Sequence, residues 1–170
     1  MANFGGMEMR KADSVDTGRI VAITDSARLY QRQCGFRQWE DGYPASADIA
    51  ADIAAGCAYV FIEGGEIAAY AFLPEGDGEY DRMCGIWRYA PPYGVIHRLA
   101  VSPRFRGRGL ASEVFSMAEE YFRRQGIRAM RVDTGEANVV MQRVLRRCGY
   151  ECRGTVRFAW GMRLAYEKEL

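Results

Sequence analysis

The chain carries one histidine, His97, and an odd number of cysteines: Cys34, Cys57, Cys84, Cys148 and Cys152. Only Cys148 and Cys152 lie close together, and no second pair accompanies them. Ligands for a structural zinc site are therefore lacking, and no metal is expected. No run of about 18 apolar residues occurs, so no membrane-spanning helix is expected. The amino terminus, Met-Ala-Asn-Phe-Gly-Gly, lacks a basic stretch followed by an apolar one. No export signal is expected from it, and unpaired thiols suit a reducing cytoplasm. An excess of one charge is also missing: 23 Lys and Arg against 22 Asp and Glu leave a net charge of +1. Nothing global draws such a chain to nucleic acid or to an anionic membrane. Repeats and low-complexity linkers are absent as well. What is present is a chain of 170 residues, 49% hydrophobic and 12% aromatic. That is enough to bury a core, and it fits one domain over residues 1–170.

Residues 7–12 read as a first strand. Asp13 or Ser14 can cap a helix with Ile20, Ile23, Ala27 and Tyr30 on its apolar face, ending near Gly35. Ser46 reads as the cap of a short helix closed by Gly56. Residues 57–63 and 66–73 are strand-like runs joined at Gly64-Gly65, a hairpin signal. Residues 74–93 are irregular but rich in aromatics, among them Tyr80, Trp87, Tyr89 and Tyr93. Residues 95–101 form a strand. A helix over 110–124 follows, with Leu110, Val114, Phe115, Ala118 and Phe122 on one face and Gly126 as its stop. Residues 128–133 are a strand, Asn138 caps a helix to Arg147, and 151–158 and 162–167 are a final strand pair. Strands alternating with helices, with hairpins at both ends, predict a mixed α/β sheet.

The turn Val101-Ser-Pro-Arg-Phe-Arg-Gly-Arg-Gly-Leu-Ala carries the most chemistry. A strand enters it, Gly107 and Gly109 shape it, and a helix begins at once. The first N–H groups of that helix lack intrahelical partners and sit at the positive end of its dipole. Glycines let the backbone approach an anion, so the turn predicts a pyrophosphate site. Arg104, Arg106 and Arg108 add cationic donors. The run is no Walker A loop, which needs Gly-Lys-Ser/Thr. It is a poor dinucleotide fingerprint too: Ser112 stands where a third glycine or alanine belongs. Asp133 does end the next strand, where a ribose-binding acid would be expected, but too few strand–helix units follow.

Arg104-x-x-Gly107-x-Gly109, following Leu99-Ala100-Val101-x-Pro103, resembles the acyl-CoA signature of the GNAT superfamily of N-acetyltransferases. Asn138, with Gly149-Tyr150 eleven residues later, is similar to that superfamily's second motif. The resemblance implies an α/β fold with a central mixed sheet of about seven strands flanked by about four helices. It implies acetyl-CoA as cosubstrate and an amine, either a small molecule or a protein N-terminus, as acceptor. The strands over 95–101 and 128–133 would splay to admit the pantetheine arm. Leu99, Ala100 and Val101 would lie along that arm, with backbone groups of Leu99 and Val101 pairing to it as an added strand. Arg104 and the turn formed by Arg106, Gly107, Arg108, Gly109, Leu110 and Ala111 would hold the pyrophosphate. Asn138 would contact the cofactor near its pantetheine end, cap its helix, or do both. A homodimer is compatible with the resemblance.

An amine acceptor must lose a proton before it attacks a thioester. His97 is the one side chain here that ordinarily titrates near neutrality, and it lies two residues before Leu99. Its setting, His97-Arg-Leu-Ala-Val, resembles a catalytic histidine of the arylalkylamine N-acetyltransferases. Strict alternation puts His97 on the face of Val95, Leu99 and Val101, which would make it a core residue if that face packs on a helix. Tyr93 and Tyr150 are further titratable candidates, each with a structural role as the more ordinary reading, and Tyr93 is taken as the second catalytic candidate. Many family members carry a tyrosine seven residues after the motif asparagine, as an acid for the departing thiolate; here Leu145 stands there. That substitution keeps open a second reading, an inactive acyl-CoA-binding sensor or regulatory module. The acceptor entrance would be shaped by residues 38–43 and 74–93, which combine aromatics with Glu40, Asp41, Glu75, Asp77, Glu79 and Asp81.

Overall fold

The protein is described by a computed structural model covering residues 3–4, 6–40, 42–83, 85–158 and 161–170. Asp41 and Cys84 lie outside the described residues. Nine strands and five helices occur among those described. The strands β1 (Asn3–Phe4), β2 (Met7–Lys11), β3 (Ala58–Glu63), β4 (Glu66–Phe72) and β6 (His97–Val101) form one sheet in the order β1-β2-β3-β4-β6. A second sheet has the order β5-β7-β9-β8, from β5 (Gly94–Val95), β7 (Ala129–Thr134), β8 (Glu151–Phe158) and β9 (Gly161–Glu169). The mixed α/β expectation holds, but one sheet is in fact two.

The division falls inside the strand expected over 95–101. Gly94 and Val95 pair in parallel with Met130 and Arg131 of β7. Two residues later, His97 pairs antiparallel with Phe72 of β4. Beyond Val95 the two sheets therefore part, and β6 keeps a free edge toward β7. A bulge also interrupts β6: Ala100 faces Tyr70 and His97 faces Phe72, so Arg98 and Leu99 together oppose Ala71. Arg98 takes φ 53°, the left-handed region that a side chain seldom adopts. The bulge overturns the alternation expected for this strand. His97 stays beside Tyr80, as Val95 does, while Leu99 and Val101 join Ile96 on the face packed against α4 (Leu110–Arg124).

Each helix is placed by its apolar stripe. Ile20 and Ile49, from α1 (Thr17–Gln33) and α2 (Ser46–Ala54), cover Val60 and Tyr70 on one face of the first sheet. Val114, Phe115, Ala118 and Phe122 of α4 cover Phe61 and Ala69 on the other, and reach Met130 and Val132 of the second. Each such buried Val or Phe contributes about 1.5–3 kcal/mol. Strand β5 lies so close to α4 that a Cβ on Gly94 would meet the Phe122 ring at 2.5 Å. Asp13 caps a short 3-10 turn leading into α1, its carboxylate accepting from Val15 N at 2.9 Å. Ser46 is the first residue of α2 and not its cap; Ala45 precedes the helix, and Asp48 accepts from Ala45 N at 2.7 Å. Asn138 caps α5 (Val139–Arg147) as expected, accepting from Met141 N at 3.2 Å.

The irregular stretch contains one unexpected element, the single-turn helix α3 (Gly78–Asp81), capped by Asp77. A buried ion pair fastens this region to the second sheet. Arg131 Nε donates to Glu167 at 3.1 Å and Nη2 to Tyr89 O at 2.7 Å, and the guanidinium lies 3.6 Å from the centre of the Tyr93 ring.

Candidate active site

Two cavities open where the sheets part. The smaller, about 290 Å³, is walled by Leu99, Ala100 and Val101 of β6, by the turn at Arg106, Gly107 and Gly109, by Leu110 and Ala111 of α4, and by Val140, Val144 and Arg147 of α5. Gly109 occupies the helix cap position with φ 85°, which glycine adopts without strain. Beyond their chain neighbours, no atom lies within 4 Å of where Cβ atoms on Gly107 or Gly109 would stand, so the turn is open to an approaching ligand. Helix N–H groups, a glycine turn and an apolar channel beside it suit a pyrophosphate with a thin arm attached.

The arginines of the turn divide. Arg106 lines the cavity, its Nε donating to Val101 O at 3.0 Å and Nη2 to Ser26 at 3.0 Å, with the guanidinium over the Tyr30 ring. Burial lowers its pKa. Arg104 pairs instead with Glu66, and Arg108 with Glu63 at 2.8 Å, so both lean toward the β3–β4 hairpin and away from the cavity. Tyr30 and Arg147 are wall residues that the sequence reading missed. Val140, Val144 and Arg147 do follow a helical spacing along one face of α5, which is the signal that could have found the arginine.

The larger cavity, about 540 Å³, shares Gln31, Leu99, Asn138 and Met141 with the first. Trp39, Tyr43, Phe72, Phe115 and Phe158 give it apolar walls, and Asp77, His97, Asp133 and Glu79 give it polar ones. A loop roofs it. Gln31 accepts from the backbone of Gln38 and Trp39 at 3.1 and 3.0 Å. Gln38 in turn accepts from Thr134, Gly135 N and Asn138 at 3.1, 3.0 and 3.2 Å, binding this loop to the cap of α5.

His97 is no core residue. Its side chain is 24% exposed, it faces this cavity, and its Nε2 lies 2.7 Å from Asp77 Oδ2. The other oxygen of Asp77 caps α3, accepting from Glu79 N at 2.7 Å and Tyr80 N at 3.3 Å. Burial pushes the Asp77 carboxyl up. The hydrogen bond and charge of His97, with those two backbone donors, outweigh burial and hold it below its ordinary value. An ionised Asp77 only accepts hydrogen bonds, so we assign the proton to Nε2, which leaves the Nδ1 lone pair for the cavity.

Tyr93, the other catalytic candidate, lines neither of these two cavities. It is 1% exposed; its hydroxyl accepts from Asp77 N at 3.1 Å and donates to Asp81 Oδ1 at 2.6 Å. Stacked under Arg131, it anchors the turn that presents Asp77. Tyr150 is buried against Phe115, and burial drives its hydroxyl well above the ordinary value. Leu145 is fully buried in the core. Of the acids expected at the acceptor entrance, Glu40, Asp77 and Glu79 line the cavity, while Glu75 pairs with Gly94 and Asp81 takes the Tyr93 hydroxyl.

The acetyltransferase (GNAT) family model matches residues 25–150. The chain belongs to that family. Its fold is that of a GNAT acetyltransferase from Streptococcus agalactiae 2603, with a TM-score of 0.86, 38% identity, and coverage of 99% of this chain and 98% of that one. The uncharacterized N-acetyltransferase YesJ of Bacillus subtilis strain 168 is 31% identical over 94% of this chain and 85% of its own length. The Salmonella typhimurium protein yncA, solved with its cofactor acetyl-CoA, shares the fold at a TM-score of 0.64 and 22% identity, covering 98% of this chain and 95% of its own. As a GNAT protein this chain is an N-acetyltransferase. No helix among the described residues is long and apolar enough to cross a membrane.

Proposed function

We propose that the protein transfers the acetyl group of acetyl-CoA to an amine by direct attack on the thioester. The observation that carries this reading is the shared wall at Leu99 and Asn138. It joins a phosphate-type cavity to a second cavity that holds a His–Asp pair. Acetyl-CoA is the substrate of the first cavity. Its pyrophosphate meets the N–H groups of the Gly107–Gly109 turn at the start of α4, with Arg106 and Arg147 in reach. Its pantetheine arm pairs with the free edge of β6 at Leu99 and Val101, as an added strand does. Asn138, while capping α5, lies where the arm crosses from one cavity to the other.

The acceptor occupies the second cavity. Its ammonium passes a proton to His97 Nδ1, and the free nitrogen lone pair attacks the acetyl carbon. The carbon–sulfur bond then breaks, the electron pair leaves with the CoA sulfur, and the second proton of the attacking nitrogen passes to that thiolate, leaving the amide and free CoA. Asp77 keeps the ring oriented and steadies the imidazolium, much as the acid of a catalytic triad does. A thiol ordinarily titrates near pH 8.5, so a thiolate departs with little help from an acid, and Leu145 is compatible with turnover. A histidine ordered in an open cavity favours an enzyme over the sensor that Leu145 leaves open. The test is release of free thiol from acetyl-CoA with a panel of amines, each product checked by mass spectrometry. Amine-dependent thiol release supports the reading; tight acetyl-CoA binding without release for any amine rejects it.

A further inference from the structure

Val95 stands opposite Arg131 in parallel pairing. Two residues further along each strand, past the point where the pairing ends, come His97 and Asp133, and both line the larger cavity. Both neighbour Tyr80: His97 lies 5.7 Å from its ring, and its buried hydroxyl is near enough to the Asp133 carboxylate to favour the charged form.

We propose that Asp133 receives the ammonium of the acceptor, across the split from His97, and so selects strongly basic aliphatic primary amines with an apolar body. The proposal rests on the acetyl-transfer reading and adds the substrate class to it. Asp133 is half-buried at the end of β7, and among the described residues no cation makes an ion pair with it. Arg163 acts on it through charge, but its guanidinium hydrogen-bonds run to Gln38 O at 2.9 Å and Met162 O at 3.4 Å. Arg98 is held by Asp52, at 2.7 and 2.8 Å. His97 has its Nε2 on Asp77. Burial raises the Asp133 carboxyl, against the charges of His97 and Arg163, so an incoming cation would relieve an unfavourably placed anion. A protonated alkylamine supplies that cation and delivers its nitrogen beside His97 Nδ1. An arylamine is neutral at the same pH and gains nothing from the carboxylate. Phe72, Phe158 and Trp39 in the same wall suit an apolar body behind the nitrogen.

The test compares hexylamine with 4-methylaniline on wild-type protein, Asp133→Asn and Asp133→Glu. Binding is read as the melting shift in the presence of CoA, and turnover as thiol release from acetyl-CoA. Asp133→Asn should raise the hexylamine KM by about 10–10²-fold, the worth of a charge-assisted hydrogen bond, and abolish its melting shift. It should leave the acetyl-CoA shift unchanged and narrow the preference for hexylamine over 4-methylaniline, and Asp133→Glu should recover part of the loss. Equal use of the two amines by the wild type, or an unchanged hexylamine KM in Asp133→Asn, overturns the proposal. If hexylamine binds through Asp133 but is not acetylated, the ammonium site stands and the acetyl-transfer reading falls. If hexylamine fails to bind the wild type, the ammonium site falls.

Discussion

Asp77 Oδ2 lies 2.7 Å from His97 Nε2, joining the cap of a one-turn helix to the strand at which the two sheets part. With Asp77 ionised, this contact assigns the proton of the histidine to Nε2 and leaves Nδ1 as the candidate base. Asp77→Asn retains an oxygen to cap α3 but gives the ring an amide that can donate as well as accept. Turnover should fall by about 10–10²-fold, part of what a general base supplies, with acetyl-CoA binding intact. The measurement is kcat alongside the acetyl-CoA melting shift. An unchanged kcat removes Asp77 from the mechanism.

Acid should unfold the protein partly through two carboxylates. Arg10 donates to both oxygens of Asp16 at 2.7 and 2.9 Å and holds its carboxyl below the ordinary value. Asp77 is lowered too, by His97 and its backbone donors against the opposing effect of burial. In each case the unfolded chain binds the proton more readily. The stabilisation is full above the ordinary carboxylate pKa, about 3.9, and is lost as pH falls through the lower folded values. The melting temperature should stay level down to about pH 5 and drop below about pH 4. Asp16→Asn should melt lower at neutral pH and lose less on acidification. An acid slope equal to that of the wild type contradicts the assignment to Asp16.

The Gly107–Gly109 turn gives a prediction for binding. Gly109→Asp sets a carboxylate where the phosphates approach and places a side chain at φ 85°. Gly109→Asn adds a side chain of the same shape without the charge, and asparagine tolerates this backbone better than most residues. Acetyl-CoA should raise the melting temperature of wild type by mass action, retain much of that shift in Gly109→Asn, and lose it in Gly109→Asp. Folded Gly109→Asp protein with a normal shift would place the pyrophosphate elsewhere.

The bulge at Arg98 depends on a distant carboxylate. Asp52 of α2 accepts from Arg98 at 2.7 and 2.8 Å and from the hydroxyl of buried Tyr70, while Arg98 Nε donates to the Tyr43 hydroxyl at 2.9 Å. Asp52→Ala leaves a mostly buried guanidinium unpaired and should cost about 3–5 kcal/mol of stability in denaturant unfolding. A loss below about 1 kcal/mol would make the contact an ordinary surface pair.

The regular elements were legible because their signals are local. The stripe Val114, Phe115, Ala118 and Phe122 with Gly126 marks α4, and Asn138 with Gly149 brackets α5. Gly64-Gly65 marks the hairpin of β3 and β4. The glycine turn and the walls from Leu99 to Ala111 were legible for the same reason. Features decided by distant partners were not. Arg98 adopts its left-handed backbone beside Asp52, Tyr43 and Phe72, and that bulge is what turned Leu99 away from His97. Arg104 and Arg108 pair with Glu66 and Glu63, partners that lie 38 and 45 residues away in the chain. Asp77 appeared only as one of several acids in an irregular stretch. Its role follows from the Tyr93 hydroxyl and the Arg131–Glu167 pair beneath that stretch, neither of which a linear pattern reveals.

The most direct test of the account is thiol release from acetyl-CoA by wild-type protein and His97→Gln, with acceptor mass and the acetyl-CoA melting shift measured on the same preparations. The account predicts amine-dependent release with an acetylated product from the wild type. It predicts a fall of at least about 10²-fold in His97→Gln, the lower end for general base catalysis, with the melting shift retained. An unchanged kcat in folded His97→Gln, or no acetylated amine from the wild type, would contradict it.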